Sequence, residues 1–166
     1  MRFFDGLDRT DYQDLLRAVG RECDQAGLRD LRVIETDTGL HLQFRYTEEV
    51  GEADTGFQIF RYTDAALLEL LQGAYALRGS GIDEQQPSPS VGLPYQQILR
   101  ALGRLLDQDG LRDFRFIEQP DGVLIQASSG VLRRGFRTYR LASTRLHELV
   151  AAMLSGTPAS LGEYSA

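Results

Sequence analysis

Residues 12–46, YQDLLRAVGRECDQAGLRDLRVIETDTGLHLQFRY, recur 83 positions later as residues 95–129, YQQILRALGRLLDQDGLRDFRFIEQPDGVLIQASS, with 18 identities in 35 aligned positions. The match resumes after a four-residue length change, where GFQIFRYTDAALLELL (56–71) lies over GFRTYRLASTRLHELV (135–150) at an offset of 79. Self-similarity on this scale reads as a tandem duplication, in which each copy is one structural module and the pair is expected to obey a pseudo-two-fold relation.

Apolar periodicity assigns the same elements to both copies. Tyr12, Leu15, Leu16, Val19 and Cys23 lie on one face of a helix, as do Tyr95, Ile98, Leu99, Leu102 and Leu106. Thr10 with Gln13 forms a capping-box pattern, Pro94 suits a first helical turn, and Gly27 and Gly110 suit left-handed stops. Three short strands follow. In copy one they cover roughly 30–36, 40–47 and 57–62, with Leu40, Leu42, Phe44 and Tyr46 alternating against His41, Gln43 and Arg45. Asp64 and Ser143 read as N-caps of closing helices with apolar stripes at Leu67, Leu70, Leu71 and Ala74, or Leu146, Leu149, Val150 and Met153. The expected fold is α+β, a tandem duplication of a helix, three-stranded antiparallel meander, helix module. Its parts are a first repeat over 1–77, a Gly/Ser/Pro-containing linker over 78–94, a second repeat over 95–155 and a mobile tail over 156–166.

Each copy alone would bury only about 60–65% of its unfolded surface, so a sheet or core shared between copies is expected. No apolar run reaches the roughly 18–20 residues of a bilayer helix, and the acidic start lacks a signal peptide's apolar segment, which predicts a cytoplasmic, non-membrane protein. The net charge of −6 argues against a nucleic-acid partner. The charge is uneven: residues 1–86 hold 9 Arg against 17 acids, and residues 87–166 hold 9 Arg against 7. That asymmetry favours contact between unlike copies, within a monomer of pseudo-dimer architecture or in a homodimer.

No residue type assembles into a recognisable catalytic, cofactor or metal site. Cys23 aligns with Leu106 on the helical stripe, which predicts a buried, inert thiol. His41 and His147 align with leucines and have no ligand at metal spacing, and the acidic loop with Glu48, Glu49, Glu52 and Asp54 lacks calcium-loop spacing. Nucleophile–base pairs are missing, and without lysine there is no Schiff-base chemistry. The candidate interaction residues are instead charged. Arg17/Arg100 and Arg21/Arg104 recur in both copies, as do Asp24/Asp107 and Arg29-Asp30/Arg112-Asp113, while Glu48 and Glu49 oppose Arg133 and Arg134 in corresponding loops. The recurring residues read either as two symmetry-related patches or, preferred here, as surface kept since a recent duplication, with helix pairs such as Arg21 with Asp24.

The helix–meander–helix outline, small size and acidity are similar to type III secretion chaperones, which dimerise and wrap an effector segment; this chain departs from them by fusing two copies. The expected function is a non-catalytic protein-interaction module, a small acidic adaptor, chaperone-like protein or assembly factor that presents a sheet face, a groove between copies or a strand edge to a protein partner and needs no cofactor. The alternative is a small-molecule binder or unrecognised enzyme with a pocket at the interface of the repeats, lined by Tyr46, Phe60 and Tyr62. A sizeable cavity between the copies would favour the ligand; a filled interface with an exposed apolar patch would favour the protein.

Overall fold

A computed structural model describes residues 11–46, 56–77, 93–129 and 135–164. Thr10, most of the 78–94 linker and the loops carrying Glu48, Glu49, Arg133 and Arg134 lie outside them. The fold is α+β. Helix α1 (Asp11–Gln25) leads into strands β1 (Leu28–Thr36), β2 (Gly39–Tyr46) and β3 (Gln58–Thr63) and helix α2 (Asp64–Leu77). Helix α3 (Tyr95–Asp109), strands β4 (Leu111–Gln119), β5 (Gly122–Ser129) and β6 (Phe136–Ala142), helix α4 (Ser143–Leu154) and the short α5 (Leu161–Tyr164) complete it.

All six strands form one antiparallel sheet in the order β3-β2-β1-β4-β5-β6. The two meanders therefore join at β1 and β4, where Arg32 pairs with Ile117, Val33 with Phe116 and Ile34 with Arg115. Because side chains alternate across a strand, one row of cross-strand partners faces the helices and the next faces away. Leu42, Val33, Phe116 and Ile125 make up an inward row, and all are buried. With the apolar stripes of α1 to α4 they form a single core, so neither meander has a core of its own.

Both meanders contain a β-bulge at the same place. The register shifts between Arg29 and Arg32 and between Arg112 and Arg115, with Asp30 at φ 52° and Asp113 at φ 55°. Aspartate is among the few side chains that tolerate the left-handed region, and the bulge re-aims the strand so that Leu31 and Phe114 enter the core. The recurring Arg-Asp dipeptides mark this backbone feature.

Helix boundaries follow the expected stripes, with differences at the starts. Gly110 caps α3 in the left-handed conformation at φ 63°, and Gly27 after α1 has φ 66°. Asp64 and Ser143 are first-turn residues and not N-caps. The Thr63 hydroxyl accepts from the amide of Ala66, and the N-cap of α4 is Ala142, which makes no side-chain bond. The segment expected to be a mobile tail is docked. Ala159 and Leu161 are buried in the core, since two apolar side chains spaced among small residues reach it although the stretch is too short to show periodicity.

Candidate functional site

The contact between α1 and α3 decides where a site can be. The helices run antiparallel, and each ends in an aspartate that caps the other's start. Asp24 accepts from the backbone amides of Tyr95 (2.9 Å) and Gln96 (3.0 Å), and Asp107 accepts from those of Tyr12 (3.3 Å) and Gln13 (3.0 Å). A helix N-terminus leaves amides without intrahelical partners and carries partial positive charge, so a carboxylate there is satisfied twice over. One turn before each aspartate, Gly20 and Gly103 let the other helix's first turn approach: a Cβ at Gly20 would lie 2.5 Å from the Tyr95 carbonyl oxygen, and one at Gly103 2.4 Å from that of Tyr12. Below, Tyr12 donates to Glu35 (2.7 Å) and Tyr95 donates to Glu118, whose carboxylate also accepts from the Leu31 amide (3.0 Å). Burial and these carboxylates raise both phenol pKa values.

At Gly20 and Gly103 this seam is closed by backbone packed against backbone. The recurrence of Asp24 and Asp107 thus has a cause that neither sequence reading contained, the capping of the other helix. Burial still pushes the Asp107 carboxyl up to about 6, because desolvation outweighs its two amide bonds and the Arg112 guanidinium, with Asp11 adding to the rise.

The opposite face of the sheet is uncovered by any described helix. One row across all six strands reads Ile59, Gln43, Arg32, Ile117, Leu124, Arg140, and the next reads Arg61, His41, Ile34, Arg115, Gln126, Thr138. Arg45, Phe57 and Phe136 continue this parity. Ile59 is 59% exposed, Phe136 56% and Phe57 40%. The guanidinium of Arg32 lies 4.8 Å and that of Arg45 4.6 Å from the Phe57 ring centre, while Arg115 lies 5.6 Å from that of Phe136. Arginine stems and aromatic rings thus tile one amphipathic surface. The two rows contain no Asp or Glu and carry Arg32, Arg61, Arg115 and Arg140, with Arg45 alongside; at the β4 bulge the Asp113 carboxylate accepts from Ser128, the cross-strand partner of Phe136. The signal was present in the sequence as strand parity, which places His41 and Arg45 outward; counting charge by parity across all six strands exposes the rest.

A cleft of about 530 Å³ lies inside the first half, between α1, α2 and β3, lined by Arg17, Arg21, Glu22, Gln25, Phe60, Tyr62 and the α2 face from Ala66 to Ala74. Tyr62 donates to Glu22, and Phe60 meets Tyr62 edge-on at 4.8 Å. Two of the three aromatics expected at an interface pocket are therefore here, within one half, whereas Tyr46 packs edge-on against Phe44. The structure brings Arg17 and Arg21 together at this cleft, with Arg17 3.9 Å from Asp14. Their counterparts sit elsewhere: Arg104 donates to the Met153 carbonyl at the end of α4 (3.1 Å), and Arg100 lies beside it on α3.

The remaining chemical candidates stay apart. Cys23 is 1% exposed, and burial pushes its thiol up to about 12, so it is protonated at neutral pH. His41 stands on the open sheet face, and His147 lies 2.7 Å from the Ser143 carbonyl one turn back on α4. Among the described residues no group of three or more His, Cys, Asp or Glu is placed to hold a metal ion, and no helix is long and apolar enough to cross a membrane. Comparison with known proteins finds no match among family models, curated proteins or solved structures.

Proposed function

We propose that this chain is a non-catalytic protein-interaction module, a tandem duplication with pseudo-two-fold symmetry that acts as a cytoplasmic, chaperone-like adaptor and receives an acidic protein partner on its open sheet face. The observation that carries the reading is that face itself. A chain with a net charge of −6 places five arginines and several large apolar side chains on one side of its sheet, where the two rows that cross all six strands contain no carboxylate. Surfaces that combine exposed aromatics with arginine are those that proteins use to bind one another. Two copies laid face to face would oppose arginine to arginine, which disfavours self-association through this surface and favours an acidic partner.

The duplication is supported by the reciprocal caps and by the β1–β4 register. Val33 and Phe116, which are 83 positions apart, stand opposite each other, and the flanking pairs exchange under the same offset. On this reading the α1–α3 seam does within one chain what a dimer interface does between two. The closed seam and exposed sheet face favour a protein partner over a ligand between the repeats.

The test is a comparative capture from cells of origin using the full chain and an Arg32→Glu/Arg115→Glu variant, followed by binding measurements with the purified candidate. The expected result is an acidic protein retained by the parent, released by salt, and lost by the variant. Equal retention by both would remove the sheet face from the function. Reversing two charges on an exposed face leaves the core intact, so an unchanged thermal midpoint separates lost binding from lost fold.

A further inference from the structure

The two halves differ at one place in a way that specifies a ligand. In the second half, the positions corresponding to the cleft are occupied by the chain's own C-terminal segment. Gln108, which corresponds to Gln25, donates to the Ala159 carbonyl (3.2 Å). Ala159 and Leu161 are 4% and 1% exposed, and Tyr164 lies under Arg145, with 4.8 Å between guanidinium and ring centre. Arg145 corresponds to Ala66 of the cleft, and Leu105, which is fully buried, corresponds to Glu22. The same groove is thus filled in one half and open in the other.

We propose that the open cleft of the first half binds a short peptide segment of a partner protein in the manner in which the second half binds residues 157–164. This surface is separate from the open sheet face and does not depend on it. The second half supplies the template: a small residue presents its carbonyl to the glutamine of the first helix, and an apolar side chain two residues later enters between helix and strand. The first half departs from it in side-chain size. Ala74 replaces Met153, Gly73 replaces Ala152 and Ala66 replaces Arg145, so the pocket has room for a residue bulkier than leucine, bounded by Phe60, Tyr62 and Leu70. The tail of a second copy is disfavoured as the occupant, because that tail is already buried in its own second half. The segment sought is therefore small-x-bulky apolar, supplied in trans.

The experiment uses the full chain and two labelled synthetic peptides, SGTPASLGEYSA (residues 155–166) and a version with phenylalanine at the Leu161 position, with aspartate there as the control. Saturable binding below about 1 mM is expected, with the phenylalanine peptide at least roughly tenfold tighter than the aspartate control, the scale of burying one aromatic side chain. Gly73→Leu should weaken it by a similar factor without lowering the unfolding midpoint, since a Cβ at Gly73 meets nothing within 4 Å. Gln25→Ala should weaken it severalfold, and Arg32→Glu/Arg115→Glu should leave it unchanged. The proposal is overturned by absence of saturable binding or by binding that Gly73→Leu does not alter. Binding that needs Leu161→Asp in the protein overturns it too, since the peptide would then be replacing the chain's own tail.

Discussion

Where the two halves meet through α1 and α3 they use the same residues, and at the cleft and the docked segment they use different ones. The seam repeats Tyr12 as Tyr95, Gly20 as Gly103, Asp24 as Asp107 and Glu35 as Glu118, and each pair makes the same kind of contact. The cleft exchanges Glu22 for Leu105, Ala66 for Arg145, Phe60 for Tyr139 and Ala74 for Met153. Each seam contact is made twice, Asp24 with Tyr95 and Gln96 and Asp107 with Tyr12 and Gln13, so a change in one half is felt by the other. A residue at the periphery has no such partner and is free to specialise. Along the α1–α3 seam identity between the halves thus goes with mutual contact, whereas at the β1–β4 join Val33 and Phe116 meet although they differ.

The largest expected effect strikes the seam. A methyl group at Gly103 would collide with the backbone of α1, 2.4 Å from the Tyr12 carbonyl oxygen and 2.7 Å from the Gln13 Cα, and backbone cannot rotate aside. Gly103→Ala should cost about 3 kcal/mol, net of the helix propensity that alanine gains. Denaturant unfolding checks it: the midpoint should fall with the slope unchanged, and Gly20→Ala should behave alike. A neutral result at either position would mean that the helices are farther apart than the reciprocal caps imply.

Next in size is the docked segment of the second half. Leu161 is 1% exposed, so Leu161→Ala should cost about 2–3 kcal/mol from lost burial and the residual cavity. Phe60→Ala, at an exposed wall of the cleft, should cost far less. Hydrogen exchange along α3 and α4 would show whether the loss stays local. A neutral Leu161→Ala would return the segment to the status of a loose tail, and with it the template for the cleft.

Strand and helix positions were readable because parity and periodicity are local: Leu40, Leu42 and Phe44 face inward and His41, Gln43 and Arg45 do not, as their alternation predicts. The sheet shared by both halves followed from the size of each copy. What the sequence hid depends on residues far apart in the chain. Asp24 looks like an ordinary helical acid until Tyr95 is brought to it, and Asp30 looks like one more recurring surface charge until the bulge is seen. Ala159 and Leu161 were hidden for another reason, since two apolar residues among small and polar ones carry no periodic signal. At the candidate site, Arg17 and Arg21 were singled out for recurring, yet the cleft they line is defined by what does not recur.

The caps come third and carry a pH signature. Asp107→Ala should cost about 1–2 kcal/mol at neutral pH, and Asp24→Ala less, because Asp24 is more exposed. Burial holds the folded Asp107 carboxyl up near 6, above the ordinary range near 4, so between about pH 4 and 6 the folded chain binds the extra proton. The protonation-linked component of this group's contribution is therefore full below about pH 4 and is lost as pH rises through 6, while the amide bonds to Tyr12 and Gln13 remain. Asp107→Asn should remove that component, leaving a shallower fall in stability across the window by up to one proton's worth of slope. Stability of the parent that instead rises more steeply than that of the variant would show the two amide bonds outweighing burial.

The smallest effect sharpens the contrast from the other side. Gly73 sits in the middle of α2 with ordinary helical φ and open space where a Cβ would go, so only its backbone entropy matters. Gly73→Ala should stabilise the chain by about 0.5–1 kcal/mol, a rise of a few degrees at most in the thermal midpoint. The second half already has alanine at the corresponding position, Ala152, where α4 lies beside the docked segment. The same substitution thus separates the two kinds of glycine: at the seam it breaks the contact between halves, and at the cleft it strengthens the helix while narrowing the groove. Destabilisation by Gly73→Ala would mean that the cleft wall is already in contact with another part of the chain, and the asymmetry between the halves would then be one of occupant and not of occupancy.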